Sequence, residues 1–171
     1  MLLIPINSKI GETMKVKLIA VGKTEDSYLK AGIDEYEKRI RRYIPFESHQ
    51  LTGAGNPISM NQKEIIRNES EKVQKYLGTS DFVIVLDEKG KEFRSVEFSS
   101  FLGQKFNSSV KSIIFIIGGP FGIHESLKAR ANLVMSLSKL TFSHQMVRLF
   151  FSEQLYRALT LLNNESYHHE D

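Results

Sequence analysis

The chain has 171 residues, 41% of them hydrophobic and 25% charged, which suits one globular domain able to bury a full core and excludes a chain too polar to fold. Twenty-three lysines and arginines against 20 aspartates and glutamates leave a formal charge of +3, which permits a nucleic acid partner without requiring one. The lack of cysteine excludes disulfides and thiolate metal sites and fits a reducing compartment such as the cytoplasm, and no apolar run approaches the roughly 20 residues that span a bilayer.

Residues 1–13 contain LLIPI, which lacks a basic flank, carries a proline and is too short for a secretory signal. Met14 directly precedes the first convincing strand. Residues 1–13 therefore read as an upstream extension, expected to be poorly ordered, ahead of a single domain over 14–171.

Lys15 to Val21, KVKLIAV, predicts the first strand, closed by Gly22. From Ser27 to Arg42, Leu29, Ile33, Tyr36 and Ile40 recur on one helical face. Lys38, Arg39, Arg41 and Arg42 cluster at its end, either as a solvated turn favoured by the helix dipole or as a contact for an acidic partner. Phe46 to Leu51 predicts a short second strand, followed by the loop TGAGNP. Ser59 to Gln62 has capping-box spacing ahead of a helix carrying Ile65, Ile66, Val73, Tyr76 and Leu77, with Gly78 as its stop.

Asp81 to Leu86 predicts a buried third strand, and Gly90 within DEKGKEF marks a turn. Phe98, Phe101, Leu102 and Phe106 form an apolar helical stripe. Ser112 to Ile117 is a fourth strand of the doubly buried kind, ended by Gly118, Gly119, Pro120 and Gly122. A helix is expected from about His124 to Leu133, and Ser136 to Phe142 is neither a clean strand nor a clean helix. The last helix, about His144 to Leu162, ends at Asn163 and Asn164, leaving a polar tail. The order βαβαβαβ with further helices predicts an α/β fold, a mostly parallel sheet with helices on both faces.

The glycine turn after the fourth strand lies where open α/β sheets bind ligands, and it lets backbone N–H groups approach with no side chain between. It is equally compatible with an ordinary strand-to-helix turn. The common alternatives fail on the residues: G-G-P-F-G is not a dinucleotide fingerprint, no G-K-[ST] follows for a P-loop, and no G-x-S-x-G elbow exists. Adjacent His168 and His169 rarely point at one ion, so no metal is expected.

Four segments taken together carry a resemblance: MKVKLIAVGK at Met14 to Lys23, IGGPFG at Ile117 to Gly122, LVMSLSKLTFSHQMVRLFFSEQLYRA at Leu133 to Ala158, and the tail SYHHE. In this order and spacing the chain resembles the ribosomal large-subunit (23S) pseudouridine N3-methyltransferases, a family of the SPOUT class. One departure is Ser143, where many relatives carry proline; it is expected to loosen the start of the last helix.

The resemblance implies a carboxyl-terminal trefoil knot, a homodimer, and S-adenosylmethionine held by three loops. Carried onto this sequence, the cofactor positions are Leu86, Gly118, and Leu137, Ser138, Lys139, Leu140, Thr141 and Phe142. The implied reaction methylates N3 of a pseudouridine in large-subunit rRNA, on assembled ribosomes; the alternative is a non-catalytic RNA-binding or ribosome-assembly module of the same fold. Methylating N3 requires removal of its proton, for which His144, Glu153, Tyr167 and His168 are candidates. His144 faces the positive end of the last helix, which favours neutral imidazole, or it merely caps that helix. Arg148 and Arg157 are expected either to meet phosphate or the substrate base or to form surface ion pairs. Tyr167 and His168 are expected over the substrate base.

Overall fold

A computed structural model describes residues 14–54 and 60–167; residues 1–13, Ser59 and His168 lie outside the described residues. The elements are β1 (Lys15–Val21), α1 (Ser27–Ile40), β2 (Phe46–Leu51), α2 (Gln62–Gln74), β3 (Phe82–Glu92), α3 (Ser95–Phe106), β4 (Ser112–Ile117), α4 (Glu125–Arg130), β5 (Leu133–Ser136) and α5 (Met146–Leu162). The strands form one sheet in the order β2-β1-β4-β3-β5, and every neighbouring pair is parallel.

The apolar runs become central strands because alternate residues bury on opposite faces. Leu18, Ile84, Ile113 and Phe115 meet α1, α3 and α5 on one face. Ile19, Val83, Ile114 and Ile116 meet α2 and α4 on the other. Chain steps in one direction across the sheet use the first face and steps in the other direction use the second, so the successive crossovers share one hand, as right-handed βαβ geometry requires. α5 fills the space between α1 and α3. Gly32 lets it come close to α1, since a Cβ there would lie 2.9 Å from a Leu149 methyl, and the Ser99 hydroxyl donates to the Ala158 carbonyl at 2.9 Å.

Four local expectations change. α1 stops at Ile40, with Arg41 as its C-cap. The cap of α2 is Asn61, whose side chain accepts from the Glu64 N–H while Glu64 returns the bond to the Asn61 N–H, so the box begins two residues after Ser59. Gly90 marks no end of strand: Leu86 and Lys91 both pair with Met135, so residues 87–90 bulge out within β3. Glycine is required there because a Cβ would stand 2.5 Å from the Met135 backbone. Finally, Leu133–Ser136 is a fifth strand rather than the end of a helix. Asn132 opens that ladder by bonding both ways with Val83, main chain to carbonyl and N–H to side-chain oxygen, each at 2.8 Å.

Among the described residues no helix is long and apolar enough to cross a membrane, and no group of three or more His, Asp or Glu side chains is placed to hold a metal.

Candidate active site

At the carboxyl ends of β3, β4 and β5 lies a cavity of about 570 Å³, within the range of small-molecule and cofactor sites. Three loops wall it. The β3 bulge contributes Leu86 and Asp87 to Lys89, the glycine turn contributes Gly118 to Ile123, and the segment after β5 contributes Ser136 to Ser138 and Leu140 to His144, with Val147 of α5 behind. Leu86, Gly118, Leu137, Ser138, Leu140, Thr141 and Phe142 are thus brought together around one cavity. Lys139 is not; its ammonium points out to Glu92 at 3.9 Å.

Each wall has a local cause. Gly122 sits at φ +93°, and its N–H closes the glycine turn onto the Gly119 carbonyl at 3.0 Å. A Cβ on Gly118 would meet Gly122 oxygen at 2.6 Å, so glycine there serves the closure of the turn itself rather than clearing a ligand's path. Under the turn, the buried Glu69 carboxylate lies 2.7 Å from where a Gly119 Cβ would stand; one of its oxygens receives the Ala54 N–H at 3.4 Å and the other has no partner among the described residues. Burial pushes this carboxyl up, against the opposing pull of the Ala54 N–H and Lys72.

The irregular stretch after β5 is a run of serine turns, which explains why it has neither period. Ser136 Oγ accepts from the Ser138 N–H at 3.2 Å, Ser138 Oγ from the Leu140 N–H at 2.9 Å, and Ser143 Oγ from the Met146 N–H at 3.2 Å. Ser143 therefore supplies a hydrogen bond to the start of α5, a correction to the expectation that it loosens it.

At the rim, Lys128 of α4 holds Asp87 at 2.8 Å. Burial pushes Asp87 up, but the Lys128 ammonium and the Lys89 N–H outweigh it and leave the carboxylate below its ordinary range. Asp87 was legible as the first residue beyond a strand; Lys128 carried no sequence signal.

His144 is half-buried at the cavity wall. Burial, then the neighbouring Arg148 cation, lower its pKa against the opposing pull of Glu25, so the imidazole is neutral near pH 7 and has a lone pair to accept a proton. Arg148 is 1% exposed, donates from Nη1 to Thr24 Oγ1 and from Nη2 to the Val21 carbonyl at 2.7 Å each, and burial lowers its pKa to about 10. Its guanidinium is spent on the β1 end and on His144's surroundings; it does not face the cavity of its own chain. Arg157 pairs with Glu153 on α5 and stacks over the Tyr167 ring at 4.9 Å.

Tyr167 packs edge-on to Tyr156 at 4.8 Å and approaches the Tyr36 hydroxyl at 3.4 Å. Burial, then the Tyr36 hydrogen bond, raise its pKa. Tyr156 lies nine residues along α5 from the cavity residue Val147, roughly 14 Å on the helix axis, so Tyr167 does not reach the cavity of its own chain. His168 lies outside the described residues.

A parallel sheet with a three-loop cavity at its carboxyl edge, one of the loops glycine-rich, is the layout of a cofactor-binding transferase, and the sequence assigns its class: residues 14–168 match the family described as "Predicted SPOUT methyltransferase", and the chain belongs to that family. SPOUT methyltransferases use S-adenosylmethionine. The chain is 45% identical over 157 residues to a protein of Parabacteroides distasonis called "Ribosomal RNA large subunit methyltransferase H", covering 92% of this chain and 100% of that one. Proteins of the same name from Flavobacterium johnsoniae and Trichlorobacter lovleyi are 46% and 41% identical, with 92% and 91% of this chain and all of theirs covered. Among solved structures, the fold is similar to a probable methyltransferase from Bordetella pertussis (TM-score 0.54, 7% identity, 90% of this chain and 99% of that one). It is also similar to a putative methylase family protein from Neisseria gonorrhoeae (TM-score 0.51, 12% identity, 99% and 92%).

Proposed function

We propose that the protein transfers a methyl group from S-adenosylmethionine to N3 of a pseudouridine in large-subunit rRNA, acting in the cytoplasm on assembled ribosomes. The observation that carries this reading is the cavity formed jointly by the β3 bulge, the glycine turn and the serine turns, in a chain similar over nearly its whole length to rRNA large-subunit methyltransferases.

The residues fit the cofactor. Leu86, Ile117, Leu137 and Val147 offer an apolar bed for a flat heterocycle, while the exposed backbone of the glycine and serine turns offers donors and acceptors for ribose and amino-acid groups. When bound, S-adenosylmethionine supplies a methyl group on a positively charged sulfur. Holding acceptor and donor in line can itself lower the barrier by roughly 7–11 kcal/mol. Neutral His144 at the wall is the group placed to take the N3 proton. Arg148 acts through it as a positioning residue. The path from Ser136 to His144, which lines the cavity before entering α5, is the segment we read as threaded through the knot.

A homodimer completes this reading. Leu140 is 76% exposed, and Phe142 and Phe150, whose rings are 4.8 Å apart, are 38% and 39% exposed beside the cavity mouth. This apolar surface is read as the contact with a second copy, whose tail then reaches the cavity that this chain's own Tyr167 cannot. Phe151 and Leu155 of the same helix are wholly buried in the core of their own chain and take no part in that surface.

The test is incubation of the protein with S-adenosylmethionine and ribosomes from cells lacking the gene, followed by mass spectrometry of the large-subunit rRNA. A single new methyl on a pseudouridine is expected. Cofactor binding by calorimetry without any methyl transfer would favour a non-catalytic RNA-binding module.

A further inference from the structure

A second cleft, of about 380 Å³, opens at the carboxyl end of the edge strand β2, where Gln50, Leu51 and Thr52 meet Lys72, Lys75 and Tyr76. Tyr76 is 46% exposed, and its ring is steadied by the His49 imidazole 5.6 Å away. Lys72 donates to the Thr52 and Gly53 carbonyls at 3.0 and 3.3 Å, which fixes its ammonium at the cleft. Among the described residues neither Lys72 nor Lys75 has a carboxylate within ion-pair distance. Nearby acidic groups are engaged elsewhere: Glu47 with Lys15 and Lys17, Glu71 with Arg67, and Glu69 inward under the glycine turn. The Gln50 side-chain oxygen accepts the Thr24 N–H at 3.0 Å, which ties the Gln50 side chain back to the segment after β1.

A half-exposed aromatic ring beside two cations that have no carboxylate in ion-pair distance among the described residues matches a ligand that has a flat face and an anion side by side. We propose that this cleft docks one unpaired nucleotide of the RNA substrate, its base stacked on Tyr76 and its phosphate on Lys72 and Lys75. Stacking on aromatic side chains is how unpaired RNA is commonly held. The inference rests on the methyltransferase reading above. Position supports it: β2 is two strands from β4 in the sheet, about 10 Å, and both end at the same edge, so a strand entering the methyl cavity passes within reach. α2 also lies on the sheet face opposite α5, so an α5-side dimer leaves the cleft open.

The experiment compares wild type, Tyr76→Ala, Lys75→Ala and, as a control at the other end of the sheet, Lys111→Ala, each with intact ribosomes and S-adenosylmethionine. Tyr76→Ala is expected to raise the KM for ribosomes by about 5- to 150-fold, the effect of losing one base–aromatic stack, with cofactor affinity unchanged. Lys75→Ala should flatten the dependence of log KM on log salt by about 0.7, the share of one single-strand phosphate contact, whereas Tyr76→Ala and Lys111→Ala leave that slope alone. Unchanged KM and slope in an active enzyme overturn the proposal, as does a KM rise matched by weaker cofactor binding. Placing a photo-reactive benzophenone side chain at position 76 should yield a cross-link to rRNA; a cross-link to a ribosomal protein alone also overturns it. A wild-type protein that fails to methylate any ribosome would instead refute the reading on which this one rests.

Discussion

The guanidinium of Arg148 donates from Nη2 to the Val21 carbonyl at 2.7 Å, pinning the first turns of α5 to the end of β1 across 127 residues of sequence. With the Thr24 bond it forms a two-pronged clamp on a buried cation that has no carboxylate partner among the described residues. Arg148→Ala removes two buried charge-assisted bonds and leaves a cavity, so it is expected to cost about 3 kcal/mol or more of stability. In a chain of this size that lowers the melting temperature on the order of 10 °C. Arg148→Lys, which keeps charge but not the fork, should fall between. Urea melts with unchanged m-values check this, and an Arg148→Ala protein as stable as wild type would refute it.

His144 links stability to pH. Its folded pKa is lowered, chiefly by burial, so the unfolded chain binds more protons near pH 6 and stability rises with pH there. The contribution is present above the unfolded value of about 6.5 and is lost as pH falls through the folded one. Replacing His144 with Gln should flatten the stability profile between about pH 7 and pH 5 relative to wild type. Denaturation series at several pH values are the measurement, and parallel profiles would refute the assignment.

Glu69 and Gly119 should behave as a coupled pair. A methyl group added at Gly119 would stand 2.7 Å from a Glu69 oxygen that cannot move into solvent, so Gly119→Ala must displace either the carboxylate or the turn. Because the turn walls the cofactor cavity, the affinity for S-adenosylmethionine is expected to fall about tenfold or more, a loss near 1.4 kcal/mol. Adding Glu69→Ala should restore part of it. Calorimetry on the four proteins of this cycle gives the coupling, and strictly additive effects would show that the two residues act independently.

Phe150 tests the assembly. Its ring is partly exposed and paired with Phe142 beside the cavity, away from the core that holds Phe151. Phe150→Glu places a charge on that surface at little cost to the fold of one chain. Light scattering is expected to show a dimer for wild type and a monomer for the variant, with methyl transfer lost alongside. A variant that stays dimeric would move the interface elsewhere.

What could be read from residues alone is what depends on near neighbours. β1 and β4 appear at the boundaries their apolar runs predict, because a run buried on both faces needs no knowledge of its partners to be recognised, and the short β2 also appears at its predicted boundaries. The glycine turn was visible for the same reason, since the backbone freedom of Gly122 is a property of the residue type. Position along the chain also placed Leu86 and Gly118 at predicted strand ends, whereas residues 137–142 came from the resemblance alone; the cavity is lined by all of these but Lys139.

The rest required distant contacts. β5 is four residues long and is a strand because its backbone pairs with β3, in a ladder opened by Asn132 and Val83, 49 residues apart in sequence. The 87–90 bulge exists because Leu86 and Lys91 share Met135, a register that no local pattern encodes. Sequence spacing put Arg148 on α5 but could not show that its charge turns inward to β1, since a buried arginine and a surface arginine have the same neighbours in sequence. It could not show either that Tyr167 folds onto Tyr36 and Tyr156, away from its own cavity. Burial and distance between elements are sums over the whole packed chain, and for those four features they alone decided the outcome.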